Sequence, residues 1–131
     1  MTGPGGMLRA LNLFRALGSG IGLNQLVVFL QVAEQEGLSV QDIARNCGLT
    51  QSAASRNLRA IGRADADWSL PPALGLVEAF LCATDERRHV IYLTAAGLDL
   101  KVRFAASLHE ADPVTAADRA RRKALRNAYA H

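Results

Sequence analysis

Two helix-start signals stand close together in the stretch LSVQDIARNCGLTQSAASRNLRAI, with one glycine between them. Ser39-Val40-Gln41-Asp42 has the S-x-x-D form of a capping box, in which a hydroxyl satisfies an otherwise unpaired backbone N–H of the first helical turn. Thr50 offers the same capping chemistry to a helix starting at Gln51. Gly48 suits the left-handed backbone of a tight turn. Two short helices joined by such a turn are a helix-turn-helix. The first helix supports the second, so only one side of the second faces a core.

The rest of the chain supplies that core. Half of the 131 residues are apolar and 21% are charged, which argues against disorder. Aromatics are few and Ala and Leu abundant, so helices are favoured over a β-sandwich. Leu8, Leu11, Phe14 and Leu17 recur at helical spacing and predict a first helix, ended by Gly18-Ser19-Gly20. A second helix is predicted over about 24–36, with Leu26, Phe29, Leu30 and Ala33 on one face. Beyond the helix-turn-helix, residues 64–74 fit neither helical nor strand period and read as a loop. Residues 76–83 and 89–93 read as two strands joined by a charged tip over 84–88. Thr94 caps a fifth helix bearing Leu98, Val102 and Ala105. Asp112-Pro113 breaks it, and Thr115-Ala116-Ala117-Asp118 opens a terminal helix rich in Arg and Ala.

On the second helix of the motif, Ala54, Leu58 and Ile61 cluster on one side at about 100° per residue. The other side carries Ser52, Arg56, Arg59 and Arg63, with Ser55 at its edge. From 43 to 64 there are four arginines and no acid, whereas 22–42 holds three acids and no Lys or Arg. That asymmetry says more than the net charge of +3. A helix of this kind fits the major groove of double-stranded DNA. The residues at its start, Thr50, Gln51, Ser52, Ser55 and Arg56, face the DNA there, Gln51, Ser52, Ser55 and Arg56 meeting base edges, while Arg59 and Arg63 suit phosphates. At the hairpin tip, Arg87 and Arg88 suit the adjacent minor groove or phosphates. A solvated turn neutralised by Asp85 and Glu86 is the competing reading of that tip.

The run LSVQDIARNCGLTQSAASRNLRAI, then GLVE, then Asp85-Glu86-Arg87, then LTAAG, resembles the winged helix-turn-helix regulators of the MarR class. The resemblance covers about 23–100. It implies a mainly α fold with a small β-hairpin, a winged helix-turn-helix flanked by N- and C-terminal dimerisation helices. On that reading 1–22 and 101–131 form the dimer interface and 23–100 the DNA-binding domain. It also implies a homodimer and allows a small-molecule effector, since members often bind small phenolic ligands or sense oxidants through a cysteine. Ser52, Ser55 and Arg56 match recognition-helix positions, and Asp85 and Arg87 the wing motif. The chain departs from the class at residues 64–74, which intervene before GLVE, and at Ala79-Phe80, where basic residues often stand.

Other chemistries find little support. Cys47 and Cys82 lack CxxC spacing and have no neighbouring cation in sequence, so core packing is the reading for Cys47, and redox sensing is disfavoured for both. His89, His109 and His131 are far apart and share no metal-ligand spacing with them. There is no GxSxG and no phosphate-cradling GxxxxGK[ST], so neither an enzyme nor a cofactor is indicated. No apolar run approaches the ~18–20 residues of a membrane span. The terminal segment DRARRKALRNAYA packs in the dimer through Ala117, Ala124, Leu125 and Ala128 or lies as a basic tail on DNA. The sequence thus predicts a cytoplasmic, sequence-specific regulator that binds double-stranded DNA as a dimeric repressor. A winged-helix module that binds another protein, through the Trp68 loop, is the alternative.

Overall fold

In the computed structural model, residues 4–18, 20–109 and 116–129 are described. Helices α1 (Pro4–Arg15) and α2 (Leu23–Glu34) precede a two-residue strand, β1 (Leu38–Ser39). The helix pair α3 (Val40–Cys47) and α4 (Gln51–Ala60) follows, then the hairpin β2 (Val77–Cys82) and β3 (Asp85–Leu93), and finally α5 (Ala95–His109) and α6 (Ala116–Tyr129). The sheet is antiparallel in the order β1-β3-β2. This is a winged helix, mainly α with one small sheet.

The sequence signals operate as local chemistry. Ser39 Oγ accepts from Asp42 N at 3.1 Å and Thr50 Oγ1 from Ala53 N at 3.1 Å, so each hydroxyl caps its helix. Gly48 closes α3 in the left-handed region, φ 67°, with its N–H directed to the carbonyls of Ala44 and Arg45. Thr94 Oγ1 accepts from Gly97 N at the start of α5 and donates to Gly75 O at 2.6 Å.

The core gathers Phe29 and Val32 of α2, Ile43 of α3, Leu58 of α4, Ile61, Leu76, and Ile91 of β3. Each such side chain contributes about 1.5–3 kcal/mol on burial. Ala54, Leu58 and Ile61 are all fully buried, so α4 is held by the stripe its sequence marks.

Several boundaries and faces differ from the sequence expectations. α4 ends at Ala60, leaving Arg63 beyond the helix. The short strand β1 has no periodicity to betray it and exists only as a partner for Val90 and Ile91. The hairpin turns at Ala83-Thr84, and β3 starts at Asp85, because the ladder slips between Leu81, paired with His89, and Cys82, paired with Asp85. Arg87 and Arg88 thus lie in an irregular part of β3 rather than in a loop tip. α1 buries Ala10 and Phe14, whereas Leu8, Leu11 and Leu17 are exposed. On α2, Val28 and Val32 are buried and Leu30 is exposed. On α5, Gly97, Leu100 and Phe104 face inward, and the row Leu98, Val102 and Ala105 faces out. The break expected at Asp112-Pro113 and the cap at Thr115 lie outside the described residues.

Candidate nucleic-acid interface

The N-terminal half of α4 turns polar side chains to solvent. Gln51, Ser52 and Arg56 are exposed and Ser55 is half-buried. Thr50 is occupied as the cap, its hydroxyl turned to the backbone of Ala53. Asn57 turns back to its own helix, donating to Ala53 O at 2.7 Å. Arg56 has no ion pair or hydrogen-bonded partner among the described residues, so its guanidinium is available to a ligand.

A cleft of about 170 Å³ separates α4 from the wing. Gln51 and Ser55 line one wall, Arg87, Arg88 and His89 the other, with Ser39 and Trp68 between them. The fold therefore brings the start of α4 and the wing arginines to one opening. Ser52 and Arg56 stand outside that cleft, further out on α4.

The five arginines assigned to this face by sequence fall into different environments. Arg87 is exposed, and Asp85 Oδ1 accepts from its backbone N–H at 3.0 Å, which shapes the wing without occupying the guanidinium. Arg88 donates through Nη2 to Ser39 Oγ at 3.1 Å, tying the wing to the cap of α3. Arg59 donates through Nε to the carbonyl of Trp68 at 2.6 Å. Arg63 is held by two carboxylates, donating through Nε and Nη2 to Asp65 at 3.1 Å and through Nη1 to Glu78 at 3.1 Å. Arg59 and Arg63, read from sequence as phosphate contacts, are thus engaged within the molecule by the segment 64–74. Their helical spacing was legible, but the loop that captures them has no counterpart in that pattern.

Ser39, Trp68 and His89 belong to this opening and were not marked by sequence spacing. Trp68 and His89 lie ring to ring, centroids 6.1 Å apart and tilted by 35°. The sequence marked Trp68 only as a candidate contact for another protein, not as a residue packed at this opening.

The two thiols differ in setting. Burial pushes the Cys47 thiol up. The Cys82 thiol is held below its ordinary range, chiefly by its hydrogen bond with Thr84 at 3.3 Å, then by backbone N–H groups of Thr84 and Asp85. Arg88, remote in sequence from Cys82, adds a smaller lowering across the hairpin. Cys82 also borders an open cleft of about 670 Å³ on the outer face of the sheet, where Phe80 and Tyr92 meet edge to face at 5.7 Å. Among the described residues no group of three His, Cys, Asp or Glu side chains could hold a metal ion, and no helix is long and apolar enough to cross a membrane.

No protein-family model matches the chain, and neither does any curated protein sequence. Solved structures do share its fold. The S. aureus MepR–DNA complex superposes with a TM-score of 0.63 at 19% identity, over 95% of this chain and 90% of that one. The PcaV transcriptional regulator of Streptomyces coelicolor, in complex with its natural ligand, gives 0.55 at 21% identity, over 97% and 91%. The transcriptional repressor CouR bound to a DNA duplex gives 0.57 at 21% identity, over 95% and 82%. The fold is that of the MarR-class winged-helix regulators.

Proposed function

We propose that this chain is a MarR-class transcriptional regulator, a repressor that binds double-stranded DNA sequence-specifically as a homodimer in the cytoplasm. The observation that carries the reading is the shared opening of α4 and the wing, with Gln51 and Ser55 opposite Arg87 and Arg88. α4 enters the major groove, where Gln51, Ser52, Ser55 and Arg56 meet base edges. Arg87 reaches the flanking backbone or minor groove. The DNA held by MepR and CouR in the structures above supports this reading.

Dimerisation draws support from apolar side chains left uncovered on the terminal helices. Met7, Leu8 and Leu11 of α1, Leu98 and Val102 of α5 and Leu125 of α6 are 39–60% exposed. Apolar side chains left open on three helices near the chain ends suit an interface with another chain. A two-fold dimer then presents two recognition helices to half-sites about one helical turn (~10 bp) apart. A small-molecule effector fits the same reading, and the PcaV structure is a complex with that regulator's natural ligand. The alternative, a protein-binding module using the Trp68 loop, is weakened because that loop is packed onto its own domain.

Selection of bound fragments from random duplex DNA, followed by titration at several salt concentrations, tests the proposal. An enriched near-palindrome is expected, bound with an affinity that falls steeply as salt rises through counterion release. Absence of duplex binding at low salt overturns it.

A further inference from the structure

The segment 64–74 is the part of the chain that the winged-helix pattern leaves unexplained. It is not a loose excursion. Leu70 N donates to Arg59 O at 2.9 Å, Leu74 N to Ala60 O at 3.2 Å and Gly75 N to Gly62 O at 2.9 Å, so the segment is laced back onto the end of α4. The Arg63 fork on Asp65 fastens its start. A Cβ at position 62 would collide with Ser69 Oγ and come within 3.0 Å of Trp68 Cζ3, so the indole packs onto bare backbone there.

Trp68 touches both halves of the opening. Its carbonyl takes the Arg59 Nε–H of the recognition helix, and its ring lies against His89 of the wing strand. His89 is adjacent in sequence to Arg87-Arg88, at the point where the β2–β3 register slips. Such an irregular two-stranded edge has little backbone pairing of its own to fix it. Arg88 is anchored at its side of the cleft by Ser39. Trp68 supplies the second anchor.

We propose that Trp68 is a positioning residue: the inserted segment wedges its indole between Gly62, just beyond α4, and His89 of β3, and this sets where the wing presents Arg87 relative to α4. The functional part of this inference rests on the DNA-binding reading above. The cations Arg59 and Arg63 serve this brace, exchanging phosphate contacts for a fixed distance between the two reading elements. Preorganisation of that kind raises affinity by lowering the ordering cost at binding.

Two readings on the whole 131-residue chain test it, with Trp68→Ala and Trp68→Phe compared to wild type. In the free protein, Trp68→Ala should speed amide hydrogen exchange of β3 about tenfold while α1 and α2 keep their rates, and Trp68→Phe should restore most of the protection. In duplex titrations, Trp68→Ala should weaken binding about tenfold, but no more than about twofold when Arg87→Ala is already present, because the two act through one contact. Unchanged exchange in the wing, or equal losses with and without Arg87, overturns the proposal. If Trp68→Ala does not fold, His89→Ala removes the same ring contact from the wing side, and the same two readings decide. Failure of the wild type to bind duplex would sink the regulator reading, while the exchange arm still decides whether Trp68 braces the wing.

Discussion

Gly97 rests directly on the carbonyl of Leu76: a Cβ at position 97 would collide with Leu76 O and lie 3.3 Å from Leu93 Cδ2. The contact joins the first turn of α5 to the start of β2, and Thr94 reinforces it by donating its N–H to Leu76 O at 3.0 Å. The glycine of LTAAG is therefore there for close approach, since its helical backbone is open to any residue. Gly97→Ala should destabilise the fold by about 3 kcal/mol, because the obstacle is backbone and cannot rotate away. Thermal or urea unfolding measures it. A change within ~0.5 kcal/mol, the range of an ordinary surface substitution, would count against the packing described.

Arg56 and Arg63 point to opposite outcomes in DNA binding although sequence spacing places both on one helical face. Arg56→Ala should cost about 1–3 kcal/mol on the preferred duplex and flatten its preference over random sequence. Arg63→Ala should leave the salt dependence unchanged, since its guanidinium already faces Asp65 and Glu78. Arg87→Ala should reduce the slope of log affinity against log salt by roughly 0.9, the share of one phosphate. Titrations at four or five salt concentrations separate the three. A lower slope in Arg63→Ala would return that residue to the phosphate backbone.

What was legible in the sequence is what is local. Capping by Ser39, Thr50 and Thr94 and the left-handed turn at Gly48 are decided within a few residues, and so is the buried stripe Ala54, Leu58 and Ile61. What escaped depends on contacts across the chain. β1 forms because Leu38 meets Ile91, and the Nε–H of Arg59 is taken up by the carbonyl of Trp68, nine residues on. The outward rows of α1 and α5 misled for a related reason. Apolar periodicity marks a face that is buried somewhere, and it does not say whether the cover is this chain or another. Leu98 and Val102 satisfy the period and are exposed.

The clamp between Arg63 and Asp65 gives the inserted segment a pH dependence of known sign. The hydrogen bond from Arg63, then its charge, holds the Asp65 carboxyl below its ordinary value of 3.8. A carboxylate with a depressed folded pKa contributes stability above the unfolded value, and this is lost as pH falls through the folded one. Above about pH 5 the clamp is closed; it opens in acid, below the ordinary carboxylate range. Trp68 is the chain's single tryptophan, so its emission reports the loop without labelling. Asp65→Asn should show the open-loop emission already at neutral pH. Identical acid titrations of Trp68 emission in wild type and Asp65→Asn would rule out the clamp as the cause.

The two cysteines should differ in reactivity at neutral pH, because the thiolate is the nucleophile. Cys47 is pushed up by burial, and Cys82 is drawn down by Thr84, by backbone N–H groups and by the charge of Arg88. Both are free and partly accessible, so access alone does not separate them. Timed alkylation with iodoacetamide, read by peptide mass spectrometry, should label Cys82 roughly tenfold faster than Cys47. Thr84→Val removes the largest of the stabilising contacts and should slow Cys82 while leaving Cys47 at its original rate. Arg88→Ala should slow it less, in keeping with its smaller share of the shift. Equal labelling rates for the two thiols, or a Cys82 rate indifferent to Thr84→Val, would show that the hairpin does not activate this sulfur.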